Sequence, residues 1–153
     1  MRVILTARFG QVRYDEAEVI HFPAGLPGFE SETAFLLIES ETSQPLSFLQ
    51  SVVNGELCFI CAPTALVDPE YAPSLNRQDR KTLQMSAEEG LESLRWYAIL
   101  CFAQPDAPTA NLLGPVAIHP TRRLGTQSIR DDNRYSARQP LFPAKKSSSR
   151  EVE

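Results

Sequence analysis

Cys58 and Cys61 form a C-x-x-C pair, a spacing that can serve redox chemistry or zinc binding. Redox chemistry needs the pair at a helix N-terminus, where the helix dipole lowers the thiol pKa, but the apolar run LCFICA around these residues predicts a strand. A spacing of three in a strand sends the two sulfurs to opposite faces. Cys101 lies in a second apolar run, AILCFA. The sequence therefore predicts three buried free thiols and no metal site.

His21 and His119 are the histidines of the chain, and a hydrolytic site would need one of them as the base for a Ser or Cys nucleophile. Neither lies in a nucleophile-elbow sequence, and each stands at the end of a predicted strand, where a structural histidine is expected. Adjacent carboxylates in contact with water lack the different environments that acid–base catalysis requires, and this holds for Asp15 and Glu16, Glu88 and Glu89, and Asp131 and Asp132. We therefore expect no catalytic residue and no cofactor. An enzyme that uses His21 is the alternative.

The segment HFPAGLPGFE, residues 21–30, combines two prolines, two glycines and two phenylalanines with a single charge. Pro23 and Pro27 fix their own φ, while Gly25 and Gly28 can take positive φ. The sequence therefore predicts a pre-ordered elbow between two strands. The core is the favoured place for its apolar side chains, although a rigid segment can also hold some of them outward for a partner: Phe22, Leu26 and Phe29.

Short strands make up most of the elements that must position these residues. Residues 2–8 and 11–14 flank Phe9 and Gly10 and predict a hairpin. Apolar runs then follow at intervals of about ten to twelve residues, namely VIHF, AFLLIE, LSFLQS and LCFICA. This spacing predicts a mainly β fold, either an antiparallel sandwich or a small antiparallel β-barrel-like single domain.

The middle of the chain predicts one or two short helices. NRQDRKTLQM begins at Asn76, a suitable N-cap, and SAEEGLESL places Ser86 three residues before Glu89, the spacing of a capping box. RWYAILCFA then predicts a central strand. NLLGPVAIHP predicts a strand that Pro115 keeps at an edge or a bulge, and GTQSIR predicts the last strand.

The length of 153 residues suits one domain, and no window is apolar enough for a membrane-spanning helix, so we expect a cytoplasmic protein without membrane contact. The polar ending predicts a domain over residues 1–142 and a disordered tail over 143–153. Residues 1–75 hold three arginines against ten acids and carry -7, whereas residues 76–153 hold twelve cations against nine acids and carry +3. The acidic first half argues against direct nucleic-acid binding and suits a basic protein partner, although an ordinary solvated surface has a similar composition.

Arginines, aspartates and a tyrosine lie close together in RDDNRYSARQPL, residues 130–141. Such a cluster can bind phosphate or stack on an RNA base, or it can form an internal network of ion pairs and hydrogen bonds. The acids beside the arginines favour the internal network, and a rim that binds protein is the next choice.

Five segments, in order and spread over residues 1–141, resemble the FliW family of bacterial flagellar assembly factors. They are RFGQV, HFPAGLPGFE, FLQS, TANLLGPVAIHP and QSIRDDNRYSARQPL. The resemblance implies a small antiparallel barrel-like domain without catalytic activity. One departure is Gln139, which stands where family members commonly carry a histidine.

The resemblance also implies two competing protein partners, the RNA-binding translational repressor CsrA and flagellin. In proteins similar to this one, free FliW binds CsrA and relieves its repression of flagellin mRNA translation, while cytoplasmic flagellin sequesters FliW. A flagellin-specific chaperone without a role toward CsrA is the alternative. For such contacts we expect two groups of apolar, aromatic and acidic side chains: Leu26, Pro27 and Phe29 in the elbow, and Asp68, Glu70 and Tyr71 further along the chain.

Overall fold

The computed structural model describes residues 1–141, which contain short strands, two α-helices and two 3₁₀ turns. The strands are β1 (Arg2–Thr6), β2 (Gly10–Tyr14), β3 (Ile20–His21), β4 (Ala34–Glu39), β5 (Ser47–Ser51), β6 (Cys58–Pro63), β7 (Arg95–Cys101), β8 (Thr109–Ala110), β9 (Val116–His119), β10 (Leu124–Gln127) and β11 (Gln139–Pro140). The helices are α1 (Thr64–Val67) and α2 (Arg77–Thr82), and the 3₁₀ turns are Glu16–Glu18 and Leu91–Ser93. The predicted mainly β fold is confirmed.

Seven of these strands close into a barrel in the order β4, β5, β6, β7, β9, β10, β3 and back to β4. Neighbouring strands are antiparallel except β10 and β3, which run parallel where Leu124 faces His21. β7 completes the closure because it pairs with β6 on one side and with β9 on the other. It is the central strand that RWYAILCFA predicts.

Alternate side chains of the barrel strands point inward and form the main core. Successive strands each contribute buried residues to this core, including Phe35, Leu49, Cys61 and Tyr97. Phe22, which follows β3, packs edge-on against Phe35 with 5.3 Å between the ring centroids. The barrel is therefore filled by side chains.

The outer face of the barrel is also covered, by three separate layers. The β1–β2 hairpin lies over β4, the region of α2 lies over β9, and a third layer that includes β8 lies over β6 and β7. The buried residues of these layers are Tyr14, Val19 and Leu36; Leu83, Leu94 and Ala117; and Ala62, Ala98, Leu100, Ala110 and Leu112. Burial on both faces explains why LCFICA and AFLLIE are continuous apolar runs.

One α-helix forms in the segment where two were possible. Asn76 caps α2 as predicted, since its Oδ1 accepts a hydrogen bond from the Asp79 N–H at 2.7 Å. The second helix, the further possibility in this segment, does not form. The Glu89 carboxylate does accept from the Ser86 N–H at 3.0 Å, but these residues form a turn and the extended backbone of Gly90 ends it. Helix α1, directly after β6, has no counterpart in the sequence predictions.

The last strands also differ from the predictions. β9 is not an edge strand, because β7 and β10 pair with it on either side. Pro115 precedes its first residue, so the missing N–H removes no ladder hydrogen bond, and the Pro115 carbonyl accepts from the Ser128 N–H at 2.9 Å. β10 is not the last strand, because β11 follows it and pairs with β8. The predicted tail, residues 143–153, lies outside the described residues.

Candidate partner-binding surface

The predicted elbow between β3 and β4 is confirmed in its backbone. Gly25 and Gly28 have φ of +68° and +85°, the region that favours glycine. Residues 26–29 form a tight turn with Pro27 second and Gly28 third, the type II arrangement, in which the Phe29 N–H donates to the Leu26 carbonyl at 2.6 Å. A Cβ at Gly25 would lie 2.5 Å from the Glu30 carbonyl oxygen, so only glycine fits there. The elbow is therefore rigid.

The side chains of the elbow divide between the core and the surface. Leu26 is 1% exposed and belongs to the main core, so its predicted place among partner contacts is wrong. Phe29 is 40% exposed, and its ring stands edge-on to Phe59 with 5.3 Å between centroids. Pro27 is exposed beside it. The elbow thus serves the core through Leu26 and presents Pro27 and Phe29 to solvent.

The second group of predicted contacts lies just after α1 and is more constrained than expected. The Tyr71 hydroxyl donates to the Leu112 carbonyl at 2.8 Å, its ring centroid is 4.4 Å from that of Tyr135, and burial raises its pKa. Asp68 is half-buried and accepts from the N–H of the exposed Glu70 at 3.0 Å. Within residues 1–141, no hydrogen bond, ion pair or ring contact joins this group to the elbow.

Arg130 confirms the internal network predicted for the cluster RDDNRYSARQPL. Its side chain is 2% exposed, and its Nε and one terminal nitrogen donate to the Asp132 carboxylate at 2.9 and 2.8 Å. The other terminal nitrogen donates to the Ala72 carbonyl at 2.7 Å, and the guanidinium lies over the rings of Tyr71 and Tyr135. The hydrogen bonds from Arg130 lower the pKa of Asp132. The guanidinium has its donors engaged and is covered, so it is not a free phosphate-binding group.

His119 is buried in a polar cluster that the sequence did not reveal. Its Nε2 is 3.1 Å from the Glu89 carboxylate, which also accepts from Arg122 at 3.0 Å. Its Nδ1 accepts from the Arg122 backbone N–H at 3.2 Å, and its Nε2 also lies 2.6 Å from a terminal nitrogen of Arg122. The hydrogen bond from His119, followed by that from the Ser86 N–H, lowers the pKa of Glu89 to about 2. The interpretation of Glu89 as a merely solvated acid is therefore wrong.

His21, the candidate base of the enzyme alternative, is exposed, so the prediction of a structural histidine is also wrong there. Cys61 is buried in the main core and burial raises its pKa to about 12, while Cys58 faces the other way, beside Arg8. Burial also raises the pKa of Cys58, outweighing Arg8. Cys101 is exposed at the end of β7, against the prediction of a buried thiol. Residues 1–141 contain no group of three or more His, Cys, Asp or Glu side chains placed to hold a metal ion.

The strand directions sort the loops of the barrel into two ends. We name as the elbow end the one that gathers the connections 22–33, 52–57 and 102–115 and the start of the segment 128–138 that follows β10. The opposite end gathers the connections 40–46, 64–94 and 120–123. This assignment follows from the strand order, which the sequence did not supply.

The two ends differ in the cations of their loops, because 64–94 and 120–123 at the opposite end contain lysine and arginine whereas 22–33, 52–57 and 102–115 contain none. At the opposite end, Glu39 pairs with Arg95 at 3.2 Å and Glu89 with Arg122 at 3.0 Å. Arg95 also lies over the ring of Tyr97, whose pKa burial raises to about 12. Acids without an ion pair within the described part of the chain occur at both ends: Glu41, Glu88 and Glu92 are examples at the opposite end, and Glu30, Glu32, Glu56 and Asp106 are those of the three elbow-end connections.

Comparisons with known proteins agree with this architecture. A family model described as "FliW protein" matches residues 3–141. "Flagellar assembly factor FliW" of Shouchella clausii is 36% identical over 142 residues, which cover 92% of this chain and 95% of that protein. The protein of the same name from Syntrophomonas wolfei is 34% identical over 140 residues, covering 91% and 88%. A solved structure, "Crystal structure of the flagellar assembly factor FliW", aligns with a TM-score of 0.84 and 33% identity over 94% of this chain and 99% of its own.

The fold and these matches define a flagellar assembly factor built on a small closed β-barrel. The chain belongs to the FliW family. The resemblance inferred from the five sequence segments is thereby confirmed. Among residues 1–141, none of the helices has the length and apolar character needed to span a membrane.

Proposed function

We propose that this chain acts in the cytoplasm as an antagonist of the translational repressor CsrA. Binding to CsrA relieves repression of flagellin mRNA translation, and flagellin that accumulates before export sequesters the chain in turn. Membership of the FliW family supports this function, and so does the acidic charge of residues 1–75, which complements a basic partner.

The outward position of Phe29 is the observation that carries the proposal. An aromatic ring that is 40% exposed on a rigid turn is a suitable anchor for a protein partner, because aromatic side chains contribute strongly to binding energy and a rigid segment loses little entropy on binding. Pro27, Asp68 and Glu70 are further proposed contacts. Tyr71 supports that segment through its hydrogen bond to Leu112.

The proposed function includes no catalytic step, cofactor, direct nucleic-acid contact or membrane contact. The His21 side chain supports the absence of a catalytic step. A histidine base is hydrogen-bonded to its nucleophile, and within residues 1–141 His21 forms no side-chain hydrogen bond. Arg130 supports the absence of direct nucleic-acid contact, since its donors are engaged inside the protein.

Isothermal titration calorimetry with purified CsrA and flagellin from the same organism tests the function. We expect each partner to bind at micromolar concentration or below, and flagellin bound beforehand to prevent CsrA from binding. Binding of flagellin alone would replace the proposal with the flagellin-specific chaperone. Binding of neither partner would overturn both.

A further inference from the structure

Three of the connections at the elbow end, 22–33, 52–57 and 102–115, carry acids but no lysine or arginine, whereas the segment 128–138 that follows β10 carries both arginines and aspartates. The acids are Glu30 and Glu32 in 22–33, Glu56 in 52–57, and Asp106 in 102–115. None of them forms an ion pair within residues 1–141, although ion pairs occur elsewhere in the same barrel. Arg8 and Arg138 are cations near this end, beside Glu56 and beside the connection 102–115. The three connections are therefore acidic, and their charges are not neutralised within them.

Each of the same three connections also exposes one large apolar side chain. Phe29 is 40% exposed, Val53 is 79% exposed and Phe102 is 42% exposed. Single exposed apolar residues are common on soluble proteins, but three at one end of a small barrel, each near a carboxylate in sequence, make a patch of the kind that marks an interaction site.

Two of these connections are held to each other by hydrogen bonds. The Ser51 hydroxyl donates to the Glu32 carboxylate at 2.9 Å and accepts from the N–H groups of Val53 and Asn54 at 3.1 and 2.9 Å. The fully buried Gln50 side chain donates to three carbonyls of the same hairpin, those of Ser51, Gly55 and Leu57. The loop 52–57 and the elbow are therefore fixed in the free protein, which lowers the entropy lost on binding.

A cavity of about 550 Å³ lies beside the third connection. Its apolar lining includes Ile99 in β7 and the alanines Ala103 and Ala107, and its polar lining includes Asn111 and Arg138. Such a concavity can receive one apolar side chain of a partner, and buried anchors of that kind carry most of the energy of an interface.

We propose that the elbow end is the docking face for a protein segment that places lysine or arginine side chains around apolar ones. The cations would meet Glu30, Glu56 and Asp106, and the apolar groups would meet Phe29 and the cavity. Nucleic acid does not fit this face, since its phosphates would meet unpaired carboxylates. A second copy of the chain does not fit it either, because like charges would face one another across the twofold axis.

The inference rests on the proposed function and identifies the face of the barrel that contacts the partner. The test compares two triple variants that change the net charge equally. The first is Glu30→Lys, Glu56→Lys and Asp106→Lys at the elbow end, and the matched control is Glu41→Lys, Glu88→Lys and Glu92→Lys, whose exposed acids lie at the opposite end. Affinity for CsrA and for flagellin is measured by calorimetry at low and at high ionic strength.

We expect the elbow-end variant to lose affinity for the basic partner by at least about tenfold at low salt, with a weaker salt dependence, while the control stays within about twofold of wild type. Val53→Asp, at a side chain with little structural contact, should also weaken binding, and Val3→Asp on β1, at a side chain that is 52% exposed, should not. Thermal unfolding of each variant confirms that it is folded.

The outcomes separate this inference from the proposed function. If wild type binds CsrA or flagellin and the elbow-end variant binds as well as wild type, the docking face is wrong and the function stands. If both triple variants lose affinity equally, net charge rather than this face controls binding, and the inference is again overturned. If wild type binds neither partner, the proposed function itself fails.

Discussion

The two ends of the barrel are built from loops of one small domain, yet the loops differ in the cations they carry and in the polar networks they form. At the opposite end, Glu39 and Glu89 are matched by Arg95, Arg122 and His119. At the elbow end, the carboxylates find hydrogen bonds at most, as Glu32 does with the hydroxyl of Ser51. The opposite end therefore contains a completed polar network around Glu89 beside exposed acids such as Glu41 and Glu88, whereas the three elbow-end connections leave their acids open to a partner.

The difference shows that the elbow end does not owe its shape to its charges. Its backbone is fixed by glycine and proline geometry, by Leu26 in the core and by Gln50 beneath the loop 52–57. Charges that are not needed for folding are free to attract a partner. Substitutions at the two ends should therefore affect stability and binding in different proportions.

Leu26→Ala should have the largest effect on stability. Removing a fully buried leucine leaves a cavity below the elbow, and we expect the free energy of unfolding to fall by about 3 kcal/mol. Leu66→Ala, at an exposed position on α1, is the matched control and should change it by less than about 0.5 kcal/mol. Urea denaturation measures both. Equal effects for the two variants would mean that the elbow is not anchored in the core.

His119→Ala should have the second-largest effect on stability, and it tests the opposite end of the barrel. The substitution removes a buried ring and leaves the Glu89 carboxylate without one of its donors, so we expect a loss of about 2 kcal/mol. The control is His21→Ala, at the exposed histidine, with an expected change below about 0.5 kcal/mol. A small effect at both positions would remove the contrast between a completed end and an open one.

Phe29→Ala should separate binding from stability. The ring is partly exposed, so we expect the free energy of unfolding to fall by about 1 kcal/mol while partner affinity falls about tenfold or more. Calorimetry with CsrA and with flagellin, paired with urea denaturation, gives both quantities. A stability loss as large as that of Leu26→Ala, with affinity unchanged, would make Phe29 a core residue instead of a contact.

The pH dependence of stability should reveal the protonation of Glu89, a carboxylate at the opposite end. The folded protein holds the pKa of Glu89 at about 2, below its ordinary value of 4.5, so the unfolded chain takes up the proton first as the pH falls. The stability that Glu89 contributes is present above pH 4.5 and is lost as the pH falls toward about 2. The difference in unfolding free energy between wild type and Glu89→Gln should narrow over that window. A constant difference would contradict the pairing with His119.

Most of the barrel strands could be predicted because each is a short apolar run bounded by turn residues, as β4, β5 and β6 are. The position of β9 inside the sheet could not be predicted, because a proline such as Pro115 gives the same local pattern before a central strand as it does in an edge strand. Glu89 and His119 meet only after the chain has folded back, so neither residue's neighbours in sequence reveal the pair. Local sequence patterns determine the strands and helices, whereas the closure of the barrel determines which distant residues contact one another.

Only part of the candidate surface could be predicted, because local sequence patterns determine the backbone of the elbow but not which of its side chains face the solvent. The proline and glycine pattern of the elbow correctly predicted its rigid backbone, but it did not separate Leu26 from Phe29, since both are apolar and only the turn decides which one points inward. Glu56 and Asp106 were missed as neighbours of the elbow. Their loops join it because of the strand directions, which depend on the whole barrel.

Arg130 has a consequence for the order in which a newly made chain acquires its structure. Through Ala72 and the ring of Tyr71 it fixes the segment between the two α-helices, and the Tyr135 hydroxyl accepts from the Ala72 N–H at 2.9 Å. These contacts span about sixty residues of chain, as the separations of 58 and 63 positions show. During synthesis, the segment that carries Asp68 and Glu70 is fully secured only after residue 135 has left the ribosome.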